Sequence, residues 1–447
     1  MKFVLLWSDA MFFLLVAFCV AGIWRVRRNP QLASAWRQVG ASRAGVAAAT
    51  VLMCFVAVAV LDSVHYRERL PDEGGRVEYS VEVLSALDAL MTKERTQLEK
   101  TYSAPLATHL FAKESRADGE GRDFPRLKYG GANLADPALR DADVQRRVVS
   151  GLIAGVVLWA LCAFCVRRWL RPRTPWFAWS AFIWTLAGLA VVAGVIVALM
   201  PAYHVFGTDK VGQDVLYLSL KSVRTALLIG TLTTLSMLPA ALFLGIVAGW
   251  RGGWVDDAIQ YVYTVLNSIP GVLLIAAAVL MMQVVIDGHP AWFSTAAERA
   301  DARLLSLCVI MGVTSWTGLC RLLRAETLKL RELEFVQAAQ SFGASGFSIM
   351  LRHILPNVMH IVMISVVMDF SGLVLAEAVL SYVGIGVDPT TISFGTMINA
   401  ARMELAREPM VWWSLVSAFC FMFVLVLSAN LFADKVSEAF DPRGRRS

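Results

Sequence analysis

Charge is scarce in this 447-residue chain. Asp, Glu, Lys and Arg together make up 17% of it, where an ordinary soluble domain carries about 25%. Apolar side chains reach 57%, against about 45–50% in such a domain. So little polar surface excludes an ordinary water-soluble globule, and the chain reads as a polytopic membrane protein resident in the lipid bilayer. The excess of positive charge, +6, does not indicate nucleic acid, because the arginines stand beside apolar runs and no basic strip is interleaved with aromatics. Histidine is scarce at six residues, and His353 and His360 have no third ligand to accompany them, so no metal site is indicated. All seven cysteines, Cys19, Cys54, Cys162, Cys165, Cys308, Cys320 and Cys420, fall in or beside apolar runs, where a thiol behaves as a small hydrophobe. That excludes a disulfide framework, and Leu, Ala and Phe around Cys162 and Cys165 argue against a redox or metal role for the pair. Also missing are GxSxG, HExxH, paired membrane aspartates and a Walker A sequence. The chain therefore shows no catalytic residues, no cofactor-binding residues and no ATP site of its own.

What is present is a series of apolar runs. A bilayer core needs about 20 residues per helix, and nine candidates lie near residues 3–24, 44–62, 148–166, 176–200, 222–249, 258–284, 304–320, 358–384 and 411–432. Arg25, Arg27, Arg28, Arg37 and Arg43 follow the first run, and Arg167, Arg168, Arg171 and Arg173 follow the third. Positive residues favour the cytoplasmic side, so alternation places the N-terminus and residues 63–147 outside, and the 321–357 loop and C-terminus inside. Arg321, Arg324, Lys329 and Arg331, together with Arg443, Arg445 and Arg446, agree with that orientation. A signal peptide is the alternative for the first run, but its apolar stretch is long and its arginines follow rather than precede it, which favours a retained helix. Asp9 within it is expensive against lipid, so it is expected near an interface or against another helix.

Residues 63–147 differ from the rest: acidic and basic side chains nearly balance, and Gly-Gly, Pro and Asp-Gly turns punctuate the segment. Leu84, Leu87, Met91 and Leu98 form a helical stripe over about 78–100. The segment reads as a small extracytoplasmic insert.

One cytoplasmic loop carries an amphipathic patch. In Glu334-Phe335-Val336-Gln337-Ala338-Ala339-Gln340-Ser341-Phe342-Gly343, Phe335, Ala338, Ala339 and Phe342 recur at helical spacing, while Glu334, Gln337 and Ser341 stay wet. Gly343 offers a break, and Arg352-His353-Ile354-Leu355-Pro356-Asn357 follows. The bland reading is a short surface helix between two spans. The pattern also resembles the loop of ABC importer permeases that docks on an ATPase subunit, with Gln337 where the general pattern has Glu and His353 where it often has Ile.

Five further landmarks keep the order of the dipeptide and oligopeptide permeases. Gly207-Thr208-Asp209-Lys210-Val211-Gly212-Gln213-Asp214-Val215-Leu216 resembles their signature through Thr208, Asp209, Gly212 and Asp214, with Gln213 replacing an Arg. Its glycine spacing is not a phosphate loop, since no Lys-Ser/Thr follows and no strand precedes. Asp209 or Asp214 there also suits a plain helix cap. Gly249 to Asp256 resembles a short cytoplasmic turn, and Ser268-Ile269-Pro270 falls early in a span, where Pro breaks the helix locally. Glu377 to Val387 resembles the end of the penultimate span, and Asn430, Asp434 and Asp441-Pro442 the tail. Glu377 reads as a satisfied structural group or as part of a pathway mouth.

The resemblance covers residues 176–443 and implies an all-α permease core of the type I importer fold. Residues 1–175 fall outside it as an added module of three membrane helices with the 63–147 insert. It further implies a subunit of an ATP-driven importer in the inner membrane. Its partners would be a second homologous permease, two ATP-binding subunits that hold ATP and Mg, and an extracytoplasmic substrate-binding protein. Leu355 and Pro356 would link the docking helix stiffly to the next span. Dipeptides, oligopeptides, nickel chelates and peptide antibiotics are all cargoes of similar permeases. A membrane sensor or an intramembrane enzyme remain the alternative classes; the first lacks an output domain and the second lacks a catalytic constellation.

Overall fold

In hydrocarbon a backbone amide has no water to bond, so a long apolar run must close its hydrogen bonds within itself as a helix. The computed structural model describes residues 2–28, 30–69, 79–115, 121–172, 174–293 and 295–440, and the apolar runs in it are helical. In chain order, strand β1 (Lys2–Val4) precedes α1 (Trp7–Arg28), α2 (Pro30–Ala41) and α3 (Arg43–Ser63). The insert holds β2 (His65–Arg67), β3 (Leu84–Ser85), α4 (Ala86–Leu90), α5 (Thr92–Thr96), β4 (Glu114–Ser115) and β5 (Arg122–Asp123). Then come α6 (Arg140–Cys165), α7 (Trp179–Leu199), α8 (Val215–Arg251), α9 (Gly253–Ser268), α10 (Gly271–Gly288) and α11 (Ala296–Ser315). The chain finishes with α12 (Thr317–Arg331), α13 (Glu334–Ser341), α14 (Gly346–Ile349), α15 (Leu355–Val383), α16 (Phe394–Arg402) and α17 (Trp413–Phe440).

Among the described residues, eight helices are long and apolar enough to cross a membrane, rather than nine. The first apolar run is shorter, Trp7–Gly22, or roughly 24 Å at about 1.5 Å per residue, against a core of about 30 Å. Asp9 is fully buried in the first turn of α1, and the same helix packs against α11 through Ser8, whose N–H and hydroxyl both donate to Asp301. The expected span 258–284 is two helices. Pro270 has no N–H to give, and the chain leaves α9 at Ile269 in an extended conformation before α10 begins. Arg443, Arg445, Arg446, Asp441, Pro442 and Arg173 lie outside the described residues.

Two compact units interleave along the sequence. One comprises Met1–Leu5, Trp36–Ala226 and Pro389–Phe432; the other comprises Leu6–Ala35, Leu227–Asp388 and Ala433–Ser447. In the first, α6 and α7 pack closely. A Cβ on Gly151 would lie 2.6 Å from the Gly194 carbonyl oxygen, and one on Gly155 would lie 2.6 Å from that of Ala190. Backbones approach this closely only where side chains are absent. One turn further on, Trp159 Nε1 donates to the Ile183 carbonyl at 2.9 Å.

The insert is mixed rather than helical through 78–100. Antiparallel β1, β2 and β3 form a small sheet in that order, with Phe3 opposite Tyr66 and Tyr66 opposite Leu84. Ser85 starts α4 with a capping box, its hydroxyl accepting from the Asp88 N–H and its own N–H donating to Asp88. Met91 then leaves helical geometry, with φ −107° and ψ 36°, which ends α4 and separates it from α5. Leu84, Leu87 and Met91 are buried, whereas Leu98 is exposed.

The second unit is organised around one apolar core. Met237, Ala241 and Ile246 of α8 meet Leu319, Cys320 and Leu323 of α12, with Val336, Ile349, Ile354 and Val358 closing it. Gly245 and Gly249 allow this approach: a Cβ on Gly245 would stand 2.8 Å from the Cys320 carbonyl oxygen. The turn from α8 to α9 uses Gly252 and Gly253, both at positive φ, 62° and 56°, where glycine alone avoids a steric cost.

Candidate functional site

Two of the polar segments singled out by sequence are built with care, one in each unit. In the second unit, α13 stands between α12 and α15. Its N-terminus has no side-chain cap, so Glu334 in the first turn faces the helix dipole from an exposed position. Val336 is fully buried in the core below and Ala339, one turn on, packs partly against it. The opposite stripe is open: Phe335 and Ala338 are exposed, and Phe342 is 91% exposed. Gln337 is exposed and its amide donates to the Glu332 carbonyl at 3.3 Å. The helix ends at Gly343, whose φ is +78°. Phe342 N–H donates to the Ala338 carbonyl at 2.9 Å and Ala344 N–H to that of Ala339 at 3.1 Å, a left-handed stop that satisfies the last carbonyls.

The stretch after Gly343 is fastened from beneath. Ile349 and Ile354 are fully buried, and Leu355 packs against the same core. Trp250 in the last turn of α8 lies 2.8 Å from where a Gly346 Cβ would project, and its carbonyl accepts from Arg331. Residues 350–354 form one wide helical turn before α15. Pro356 sits exposed in the first turn of α15, directly after that wide turn. The Asn357 amide donates to the His353 carbonyl at 2.6 Å. Arg324 grips Asp256 with two bonds of 2.5 and 2.6 Å, and this pairing holds the Asp256 carboxyl below its usual range. The outcome is a rigid pedestal that presents a short apolar stripe to solvent.

Val336 is absent from the residues the motif points to, and it is the anchor. Its signal is the spacing of Val336 and Ala339, three apart, which defines a second stripe facing inward. Ala339 therefore belongs to the pedestal, while Phe335, Ala338 and Phe342 form the presented face.

In the first unit, residues 206–216 receive the insert. Thr208 is fully buried; its hydroxyl accepts from the Ser103 N–H at 2.7 Å and donates to the Thr101 carbonyl at 2.9 Å. Trp413 Nε1 donates to the Thr208 carbonyl at 2.9 Å. Asp209 closes the loop on itself, accepting from the N–H groups of Val211 and Gln213, each at 2.9 Å; its burial pushes the carboxyl above its usual range. Asp214 caps α8 through the Leu216 N–H at 2.8 Å.

Gly212 bonds through its carbonyl to the Glu99 N–H at 3.0 Å. The buried Glu99 carboxylate accepts three successive N–H groups, Lys128, Tyr129 and Gly130, at 2.8–2.9 Å. His204 Nδ1 lies 2.8 Å from Asp214, and its Nε2 lies 3.5 Å from Glu99, an ion pair without a hydrogen bond. Burial alone would lower the His204 pKa, but the two carboxylates outweigh it and raise the imidazole to about 9. Burial likewise works against Glu99, yet His204 and the three amides hold it at about 2. The four signature residues Thr208, Asp209, Gly212 and Asp214 are thus brought together in one loop. Glu377 stands in the other unit, buried on α15 and accepting from the Ser381 hydroxyl at 2.7 Å, a satisfied structural arrangement.

A family described as binding-protein-dependent transport system inner membrane component matches residues 241–446. The oligopeptide transport system permease protein of Mycobacterium bovis is 30% identical over 242 residues, 54% of this chain and 77% of its own length. The chain belongs to the dipeptide and oligopeptide ABC permease family. The dipeptide transport system permease protein of Lactococcus lactis is also 30% identical, over 54% of this chain and 64% of its own length. That of Bacillus subtilis is 28% identical, over 55% and 70%. These peptide permease relatives and the eight apolar helices make this chain a multi-pass membrane protein with a transport permease fold.

Proposed function

We propose that the chain is the membrane-spanning permease subunit of an ATP-driven importer of dipeptides or oligopeptides. The observation that carries this reading is α13: a short helix held on a buried valine, between two long helices, with Phe335, Ala338 and Phe342 turned outward. Apolar side chains presented this way suit a groove on a partner protein. In this reading the groove belongs to an ATP-binding subunit, one of two, which supply the ATP and Mg sites. A second homologous permease completes the pathway, and an extracytoplasmic binding protein delivers the peptide.

In this reading the short α1 crosses as well as the eight longer helices, so the N-terminus, whose β1 pairs with β2, and the 63–147 insert face outward, and α13 and the C-terminus face the cytoplasm. Residues 176–443 form the transport core, and residues 1–175 are an added module that packs beside it, with the insert extending toward the binding protein or the second permease. When the ATP-binding subunits close on each other, α13 is pushed. The Arg324–Asp256 clamp and the buried Ile349 and Ile354 pass that displacement to α9, α12 and α15, which switch as rigid bodies between inward-facing and outward-facing states. Purification from mild detergent tests this assembly: ATP-binding subunits should come with the wild-type chain and be lost from Phe342→Asp. Their retention in that variant would remove α13 as the docking element.

A further inference from the structure

The insert is joined to the start of α8 at two places, both built from buried charges. The first is the Glu99, His204 and Asp214 cluster at residues 204–214. The second lies at residues 217–221. Lys221 Nζ is 2.8 Å from Asp88 and 3.7 Å from Asp62, the Tyr217 hydroxyl donates to Asp88 at 2.7 Å, and Ser85 Oγ donates to Asp62 at 2.7 Å. Just beyond, Arg224 Nε donates to Ser63 Oγ at 3.2 Å. Each cluster holds two carboxylates around one cation. Apolar side chains of the same volume would stabilise such a contact at least as well, and what buried ion pairs add is a fixed register. One attachment leaves a body free to swivel, whereas two attachments on successive parts of one segment fix its direction as well.

We propose that the insert is a lever fixed to α8, with Glu99 and Lys221 as positioning residues, so that force applied to the insert by a docked partner turns the 206–216 loop and the first turns of α8. The lever rests on the permease reading, since α8 continues to Arg251 and its turns from Ala241 onward belong to the segment shared with the transport family. The partner is the solute-binding protein of that assembly: the insert carries acidic and basic side chains in near balance, as suits a contact that forms and releases.

The test uses the full chain, alone and in its assembly. Hydrogen exchange of the purified chain reads the seam at residues 99–103, 126–131 and 206–221, and ATP hydrolysis of the assembly is compared with and without binding protein. Glu99→Gln and Lys221→Met should each raise seam exchange about tenfold. They should also cut the stimulation by binding protein about fivefold while basal hydrolysis and subunit association stay near wild type. Lys221→Arg, which keeps the charge, should restore both. Unchanged seam exchange, a loosened seam with intact stimulation, or loss of basal hydrolysis in step with stimulation would each overturn the lever. A wild-type assembly with no ATP hydrolysis at all would instead bring down the permease reading, and the lever with it; the exchange measurement on the chain alone separates the two failures.

Discussion

Glu99 and Gly212 meet backbone to backbone: the Glu99 N–H donates to the Gly212 carbonyl at 3.0 Å, and a Cβ on Gly212 would stand 1.9 Å from the Glu99 carbonyl oxygen. The glycine that marks the family signature is thereby the floor on which the insert sits. It also has φ +78°. Gly212→Ala should cost about 1–2 kcal/mol for the left-handed backbone alone, plus the displacement of Glu99. The expected result is a lower Tm and faster proteolysis within 99–131. An unchanged proteolysis pattern would show that the insert does not depend on this contact.

The His204 cluster gives a pH dependence with a definite sign. His204 is raised from 6.5 to about 9, so its contribution is complete below about pH 6.5 and is lost as pH rises through 9. Glu99 is lowered from 4.5 to about 2, so its contribution is complete above about pH 4.5 and is lost as pH falls through 2. The insert should be held most firmly between about pH 4.5 and 6.5, hold most of that at neutrality, and loosen above about pH 9 by on the order of 3 kcal/mol. The two groups share one interaction, so their contributions do not add. Thermal unfolding from pH 5 to 10 checks this, and His204→Gln should remove the alkaline fall. An alkaline fall of the same size in that variant would assign it to another group.

Opposite stripes of α13 should respond differently to substitution. Val336→Ala empties a fully buried site and should lower stability by about 2 kcal/mol. Phe342→Asp, at a side chain 91% exposed, should leave Tm within about 1 °C, since exposed sites away from special features tolerate change, while abolishing association with ATP-binding subunits. Ala339→Asp is a poorer probe, because Ala339 packs on the chain's own core and a charge there carries a burial cost. Equal losses of Tm in the Val336 and Phe342 variants would contradict the assignment of inner and outer stripes.

Orientation in the membrane is open to a direct check at Ser115, an exposed position on β4 of the insert. A cysteine introduced there should react with a membrane-impermeant maleimide added from outside. Reaction only after the cytoplasmic face is opened would invert the topology.

The parts of this protein that sequence made legible are those settled by local physics. Pro270 ends α9 because it lacks an N–H, Gly252, Gly253 and Gly343 turn the chain because they tolerate positive φ, and apolar runs become helices. The insert was opaque because its order comes from distant partners. Glu99 is held by residues 128–130 and 212, and Thr208 by residues 101 and 103. A helical stripe through Leu84, Leu87, Met91 and Leu98 is real as a pattern, yet the Ser85 capping box and the turn at Met91 divide it. The two compact units were hidden for the same reason, since each gathers segments far apart in the chain. At α13 the motif pointed to the presented face, while Val336 beneath it followed only from packing.

Transport itself is read most directly by uptake. Sealed vesicles carrying the complete assembly, supplied with ATP on the side of α13 and with binding protein and a labelled dipeptide or oligopeptide on the side of the insert, should move the peptide to the ATP side against its gradient. That movement should stop when ATP is withheld and when Phe342→Asp replaces the wild-type chain. ATP-independent equilibration, or uptake that persists undiminished in the Phe342 variant, would contradict an importer driven through α13.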